Sequence, residues 1–133
     1  MNAKFPATLK SLRAMLKWIT ESIAKMEFDP SALRKIELSA EEALVNIITY
    51  AYSGRPEEIA IQIKVIPKSH VEIAITDRGP AFNPLEYKEA SLDGDIETRD
   101  IGGLGIHLMK RNMDSVHYKR IKNANILTLI KKK

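Results

Sequence analysis

Apolar residues spaced three and four positions apart dominate the first part of the chain. This spacing predicts an amphipathic first helix from about 7 to 27. A second helix begins in "FDPSALRK", where Asp29 can cap it and Pro30 can take the first helical position, and it ends near "SGRPEE". The two apolar stripes are Leu9, Leu12, Leu16, Ile19, Ile23 and Met26, and then Leu33, Ile36, Ala40, Leu44, Ile47 and Ala51.

Alternating apolar residues then predict strands. The first two strands, on either side of the turn "PKSH", are marked by Ile59, Ile61, Ile63 and Val65 and by Val71, Ile73 and Ile75. A third helix is predicted to follow Gly105 and to run to about Asn112, and strands follow near 115–121 and 125–131 around the turn "KNAN". Helices on one face of a mostly antiparallel mixed sheet fit this order, which is an α/β (α+β) two-layer sandwich. Without a repeat or a second boundary, residues 1–133 are predicted to form a single domain.

The composition narrows the class of protein. The chain has no cysteine, which leaves neither disulfides nor thiolate metal sites and favours a cytoplasmic protein. No apolar run approaches the ~18 residues of a membrane span, and "MNAKFPATLK" lacks the apolar stretch of a signal peptide. The net charge of +4 would suit nucleic acid, but Lys131, Lys132 and Lys133 supply three of these charges as a predicted tail. We therefore expect no membrane and no direct nucleic-acid partner.

An acidic segment separates the second pair of strands from the first. Residues 86–100 hold six carboxylates against Lys88 and Arg99, a net charge of −4, so that the rest of the chain carries +8. Weak periodicity predicts a mobile loop of functional length, with a plain solvated surface loop as the alternative.

Two polar residues of the second helix share one face. Glu42 and Asn46 in "SAEEALVN" are four residues apart, opposite the apolar stripe. An exposed pair on a solvated face is the simple interpretation. In the functional one, an amide oxygen serves as a hard ligand for Mg²⁺, which takes few ligands from the protein, and a carboxylate takes a proton from an attacking hydroxyl.

Two glycine-containing motifs follow. Asp77 ends a strand beside Gly79, where the carboxylate could accept from the exocyclic amine of adenine, although Asp-Arg-Gly-Pro also suits an Asx-type turn. Gly102, Gly103 and Gly105 precede the third helix, whose first amides could bind phosphate. A flexible helix entry is the alternative.

In order, "EEALVN" on a helix, "DRGPAFNP" after a strand, a loop, and "GGLGIHLMKRNMD" at a helix start resemble the GHKL ATPases. This superfamily includes gyrase, heat-shock chaperones, histidine kinases and MutL. The short single-domain chain is most similar to bacterial anti-sigma factors that are also serine-protein kinases, from the first helix to "NILTLIKK". The resemblance implies the Bergerat ATP-binding fold, a histidine-kinase-like ATPase domain with a mobile ATP lid at about 84–101.

The resemblance also implies a role for each motif residue. Asn46 would be the metal ligand for Mg²⁺ and Glu42 the catalytic general base. Asp77 would read the adenine of ATP, and Gly79 would let the base sit close. The phosphate-cradling turn would be formed by Gly103, Leu104, Gly105 and Ile106.

Two positions depart from the family pattern. Ala81 stands where a glycine is usual, and its methyl group is tolerated only if the backbone avoids positive φ. Ala124-Asn125 replaces the usual glycine-threonine that supports the adenine carboxylate. Asn125 could still donate a hydrogen bond, and Thr128 is a less well aligned candidate.

The function implied is a serine kinase that phosphorylates a STAS-type anti-anti-sigma antagonist and sequesters a sigma factor, as a homodimer. Arg99 could meet the γ-phosphate from the lid or merely pair with Glu97 or Asp100. A non-catalytic module, in which ATP only fixes the lid for a partner, is the alternative.

A sensor histidine kinase would need a phosphoacceptor histidine on a dimerising helix, and the first helix has none. Of the three histidines, His70 is predicted in a turn, His107 on the phosphate-side helix facing the lid or solvent, and His117 in a strand.

Overall fold

The computed structural model describes residues 1–51, 57–81 and 101–133, and of 50–51 and 101–106 only the backbone. The described elements are β1 Asn2–Pro6, α1 Leu12–Ser22, α2 Pro30–Asn46, β2 Glu58–Ile66, β3 His70–Asp77, α3 Ile101–Asn112, β4 Ser115–Ile121 and β5 Ala124–Lys132.

The described strands form one sheet in the order β1-β2-β3-β5-β4. Each neighbouring pair is antiparallel, so this part of the chain holds none of the parallel pairing that a mixed sheet would contain. Alternate residues of the strands pack against the helices as a single core, which includes Ile61, Ile75 and Leu129 from the sheet. The predicted two-layer α/β architecture is confirmed.

The N-terminal strand β1 was not predicted. It pairs with β2 at the edge of the sheet, and only Ala3 and Phe5 of it turn toward the helices. Phe5 contacts Trp18 of α1 edge to face, with ring centroids 6.1 Å apart. A five-residue segment with two half-buried positions is too short to give a clear alternating pattern.

The first helix is shorter than the predicted 7–27. Single 3₁₀ turns at Leu9–Ser11 and Ala24–Met26 flank α1, and Glu27 ends the segment in the left-handed region with φ of 52°. The later part of the stripe was assigned correctly, since Ile19, Ile23 and Met26 are buried, but Leu9 is 65% exposed and the fully buried Met15 was not included. The spacing of apolar residues shows which face is buried, but it does not distinguish an α-helical turn from a 3₁₀ turn.

The second helix begins as predicted. Pro30 is its first residue, and Asp29 Oδ1 accepts a hydrogen bond from the Ala32 amide at 2.7 Å. A π-helical turn, Ile47–Ala51, continues it beyond Asn46.

The third helix begins at Ile101 rather than after Gly105, so the glycine cluster lies within it. We attribute this to packing against α2, which offsets the roughly 0.5–1 kcal/mol that each helical glycine costs relative to alanine.

The C-terminal lysines do not form the predicted tail. Strand β5 extends to Lys132. Lys131 Nζ donates to the Asn112 carbonyl at the end of α3 at 2.7 Å, and Lys133 Nζ donates to the Met26 carbonyl at 2.5 Å. These cations therefore satisfy carbonyl groups at helix ends, where the helix dipole favours positive charge. No helix within the described ranges is long and apolar enough to cross a membrane.

Candidate functional site

Asp77 ends β3 on the helix-covered side of the sheet. Its residue is only 6% exposed, and its Oδ1 accepts a hydrogen bond from the amide of the buried Gly79 at 2.9 Å. This is the Asx-type turn that the sequence allowed as an alternative. An Asx-type turn can form at the surface, whereas a buried carboxylate needs further hydrogen-bond donors.

Asn125 of β5 supplies such a partner. It lies directly opposite Asp77 in the β3–β5 register, is 5% exposed, and donates from Nδ2 to Asp77 Oδ1 at 2.9 Å. The same amide donates to the Pro80 carbonyl at 2.9 Å. Thr128, the other candidate, lies further along the strand opposite Ala74. Asn125 therefore stands where a donor to the Asp77 carboxylate was expected.

Two residues of β4 complete this network. Tyr118 donates its hydroxyl to Asn125 Oδ1 at 2.6 Å, and Arg120 donates from a guanidinium nitrogen to the same oxygen at 3.0 Å. That guanidinium nitrogen also donates to the Gly79 carbonyl at 3.1 Å. The β4–β5 hairpin thus holds both the carboxylate and the backbone of the turn that follows it.

Ala81, at the end of this turn, causes no backbone strain. Its residue is exposed, and it is not among the four described non-glycine residues with positive φ. The condition for tolerating the extra methyl group is therefore met.

Glu42 and Asn46 lie on α2 and are half-buried, so their face is not the fully solvated one of the simple interpretation. Neither side chain makes a hydrogen bond or ion pair with the described residues. Burial raises the pKa of the Glu42 carboxyl above its ordinary value, and the neighbouring Glu41 carboxylate raises it further. A carboxylate with a raised pKa is a stronger base than an ordinary glutamate, as general-base catalysis requires.

The first turn of α3 contains the backbone amides that were predicted to bind phosphate. Because α3 begins at Ile101, the amides of residues 101–104 have no carbonyl within the helix to bond. Gly103 and Leu104 fall in this set, whereas the amides of Gly105 and Ile106 lie in the hydrogen-bonded part. The amides without an intrahelical partner therefore begin nearer the N-terminus than the sequence predicted. Helix α3 contacts α2, which carries Glu42 and Asn46.

The structure brings the predicted residues together as two groups. Asp77, Gly79 and Asn125 are joined by hydrogen bonds, and α2 with its polar pair packs against α3. Within the described ranges no hydrogen bond links the two groups. Both groups lie on the helix-covered side of the sheet, which is also the side of the hydrophobic core.

Several predicted features fall outside the described residues. Of the lid at 84–101 only Ile101 is described, as the first residue of α3, and Arg99 is not.

The three histidines lie on three different elements of the fold. His70 contacts Ser69, with 2.7 Å between Nδ1 and Oγ, His107 is half-buried on α3, and His117 is exposed on β4. Over residues 1–51, 57–81 and 101–133, no three histidine or acidic side chains cluster as a metal site.

The roles of Tyr118 and Arg120 were not predicted from the sequence. Lys122 and Asn123 adopt positive φ in a two-residue turn, which places Arg120 opposite Asn125. A two-residue turn "KN", in place of the predicted "KNAN", would have placed Arg120 opposite Asn125 from the sequence. Also not predicted was Ser39, a fully buried residue of α2 whose hydroxyl has no hydrogen-bond partner in the described structure. No sequence signal distinguishes that serine.

Comparison with known families now decides the class of protein. The family model described as histidine kinase-like ATPase domain matches residues 5–131. The chain belongs to this family. The assignment agrees with the two-layer fold and with the ordered helix, strand and glycine motifs.

Curated relatives narrow the family further. The chain is 32% identical over 116 residues to the serine/threonine-protein kinase BtrW of Bordetella bronchiseptica, covering 86% of this chain and 80% of that protein. It is 25% identical over 116 residues to an anti-sigma F factor of Bacillus cytotoxicus, covering 87% and 80%. Identity to the serine-protein kinase RsbW of Listeria monocytogenes is 28% over 95 residues, which span 67% of this chain but only 59% of that kinase. The protein is therefore a GHKL protein of the anti-sigma kinase type.

A solved structure supports the fold alone. The histidine kinase AdeS of Acinetobacter baumannii matches with a TM-score of 0.53 at 16% identity, covering 98% of this chain and 67% of that one.

Proposed function

We propose that this protein binds Mg²⁺·ATP and transfers the γ-phosphoryl group to a serine of a partner protein. The observation that carries the proposal is the buried carboxylate of Asp77, which is fixed beside Gly79 in a chain of the histidine kinase-like ATPase family. A fixed acceptor beside close-approaching backbone suits the exocyclic amine of adenine. A carboxylate so placed also rejects bases that present an oxygen at that position.

The polar residues of α2 fit the metal, and the start of α3 fits the phosphates. The oxygens of Asn46 and Glu42 have no partner among the described residues, and Mg²⁺ takes one or two protein oxygens while phosphates and waters complete its shell. When bound, Mg²⁺ neutralises charge on the phosphates. Asn46 would hold it, and the amides at the start of α3, which have no partner within the helix, would receive phosphate oxygens.

Glu42 has the chemistry of the general base. In the transfer, the serine oxygen of the partner forms a bond to the γ-phosphorus, and the bond from that phosphorus to the β–γ bridging oxygen breaks, releasing ADP. Glu42 accepts the proton of the serine hydroxyl. Such a reaction requires mainly positioning and charge neutralisation, so one base and fixed phosphates suffice in outline.

The relatives named anti-sigma F factor and serine-protein kinase support a sigma factor and a serine-bearing protein as partners. The protein would sequester a sigma factor, and its phosphoacceptor would be a STAS-type anti-anti-sigma antagonist, with a cytoplasmic homodimer as the acting species. The alternative is a module that binds ATP without transferring its phosphate.

Transfer of label tests the proposal. The purified protein, ATP labelled at the γ-phosphate and each STAS-domain protein of the source organism would be incubated together. We expect serine labelling that Glu42→Gln reduces by roughly 10²- to 10⁴-fold, the usual contribution of a general base. The control is Glu37→Gln on the same helix, which loses only a surface pair with Arg34 and should keep the wild-type rate. ATP binding without any transfer would favour the non-catalytic module.

A further inference from the structure

The hydrogen bonds around Asp77 distinguish its two carboxylate oxygens. Oδ1 accepts from both the Gly79 amide and the Asn125 side-chain amide, each at 2.9 Å. No hydrogen bond from the described residues reaches Oδ2. Because an oxygen of this kind offers about two acceptor sites, Oδ1 is fully used and Oδ2 remains for a ligand.

The side-chain amide of Asn125 is held in one orientation. Its oxygen accepts from Tyr118 and Arg120, and its nitrogen donates to Asp77 and to the Pro80 carbonyl. A half-turn of the amide would set its oxygen against a carboxylate and a carbonyl, and its NH₂ group against a guanidinium. The bonds to Asp77, Pro80 and Arg120 would then be lost or repulsive, and only the Tyr118 hydroxyl, which can also accept, could keep a bond. These three partners therefore fix the polarity of the amide.

Arg120 links this amide to the backbone of the turn. Its guanidinium nitrogen donates to both Asn125 Oδ1 and the Gly79 carbonyl, at 3.0 and 3.1 Å. We call Tyr118, Arg120 and Asn125 the hairpin clamp, since all three belong to the β4–β5 hairpin. The polar atoms of Asn125 are occupied inside the protein, so the clamp acts on a ligand only through Asp77.

We propose that the hairpin clamp sets the base selectivity of the nucleotide site by reserving Asp77 Oδ2 as the acceptor that faces the purine. The inference rests on the proposed ATP site. It makes Tyr118, Arg120 and Asn125 positioning residues that favour a purine with an amine at C6 over one with an oxygen there.

A reversal of selectivity follows from the same geometry. In Asp77→Asn, the clamp and the Gly79 amide still present two donors to the Oδ1 position. The new side-chain oxygen must therefore occupy that position, and its NH₂ group must face the ligand. The site would then offer a donor, which suits the C6 oxygen of inosine triphosphate and not the C6 amine of ATP.

Affinities for Mg²⁺·ATP and Mg²⁺·inosine triphosphate, measured by calorimetry, test this. We expect the wild-type protein to prefer ATP by about tenfold or more, and Asp77→Asn to prefer inosine triphosphate. Tyr118→Phe and Arg120→Met, which each remove a donor to Asn125, should shrink the preference for ATP by roughly three- to tenfold. Arg120→Lys should restore part of it. Lys119→Met, on the exposed face of the same strand, is the matched control and should leave the preference unchanged.

The outcomes separate the two proposals. If the wild-type protein binds ATP but Asp77→Asn loses both nucleotides equally, the fixed polarity is wrong. Equal weakening of both nucleotides by Tyr118→Phe and Arg120→Met, with an unchanged ratio, would reduce the clamp to a structural support and overturn the inference. A folded wild-type protein that binds neither nucleotide would refute the proposed function itself. Thermal unfolding of each variant identifies any that does not fold, and the Tyr118 and Arg120 variants then decide without Asp77→Asn.

Discussion

Glu42 and Glu41 are adjacent carboxylates of α2, and their proximity bears on catalysis. Burial is the larger cause of the raised pKa of Glu42, and the charge of Glu41 is the second. A general base must be deprotonated to act, so a raised pKa moves the acidic limb of the rate profile to higher pH than an ordinary glutamate would give.

The variant Glu41→Gln tests this at the level of one residue. Removing the neighbouring charge lowers the pKa of Glu42, so Glu42 stays deprotonated to lower pH. We therefore expect the acidic limb of the phosphoryl-transfer rate to move to lower pH, with the rate at pH 8 near that of the wild type. The profile of rate against pH with saturating ATP measures it. Glu37→Gln is the control, and an acidic limb that does not move would exclude Glu42 as the group that titrates.

At the scale of elements, the sequence predicted the long amphipathic segments and missed what depends on pairing. The stripe of α2 and the alternation of β2 and β3 need only local periodicity, and both were predicted nearly to their ends. Strand β1 was missed because a short edge strand owes its conformation to hydrogen bonds with β2. The break after α1 was missed because apolar spacing persists through the following 3₁₀ turn.

The candidate site shows the same division. Asp77, Gly79 and Asn125 lie in motifs that can be read along the chain. The contributions of Tyr118 and Arg120 depend on the register between β4 and β5, which the turn at Lys122 and Asn123 sets. Arg120 lies directly opposite Asn125, and Tyr118 lies two residues earlier on the same face of β4, so both reach the Asn125 amide only in this register.

The position of Gly105 inside α3 gives a prediction for that helix. A glycine in a helix interior costs roughly 0.5–1 kcal/mol relative to alanine, so Gly105→Ala should raise the free energy of unfolding without nucleotide by about that amount. Denaturant unfolding measures it. The reverse exchange at an exposed position of α1, Ala14→Gly, calibrates the scale and should lower stability by a similar amount. A destabilised Gly105→Ala would count against a solvent-facing helical position for Gly105.

At the scale of the whole molecule, the candidate site is assembled from four separate parts of the chain. Helix α2 supplies the polar pair, β3 the carboxylate, the β4–β5 hairpin its support and the first turn of α3 the amides. The sheet order puts β5 between β3 and β4, which is why Asn125 reaches Asp77 and Arg120 reaches Gly79. The lysines that suggested a basic tail instead join β5 to helix ends. The proposed function thus requires one nucleotide that meets all four parts.

Calorimetric titration with ATP, with and without Mg²⁺, tests whether one nucleotide binds at all four parts. We predict binding in the micromolar range or tighter by the wild-type protein, and loss of ATP binding in Asp77→Asn. Asn46→Ala should bind ATP with an affinity that no longer depends on Mg²⁺. A folded wild-type protein that binds no ATP, or an Asp77→Asn variant that binds it as well as the wild type, would contradict the account.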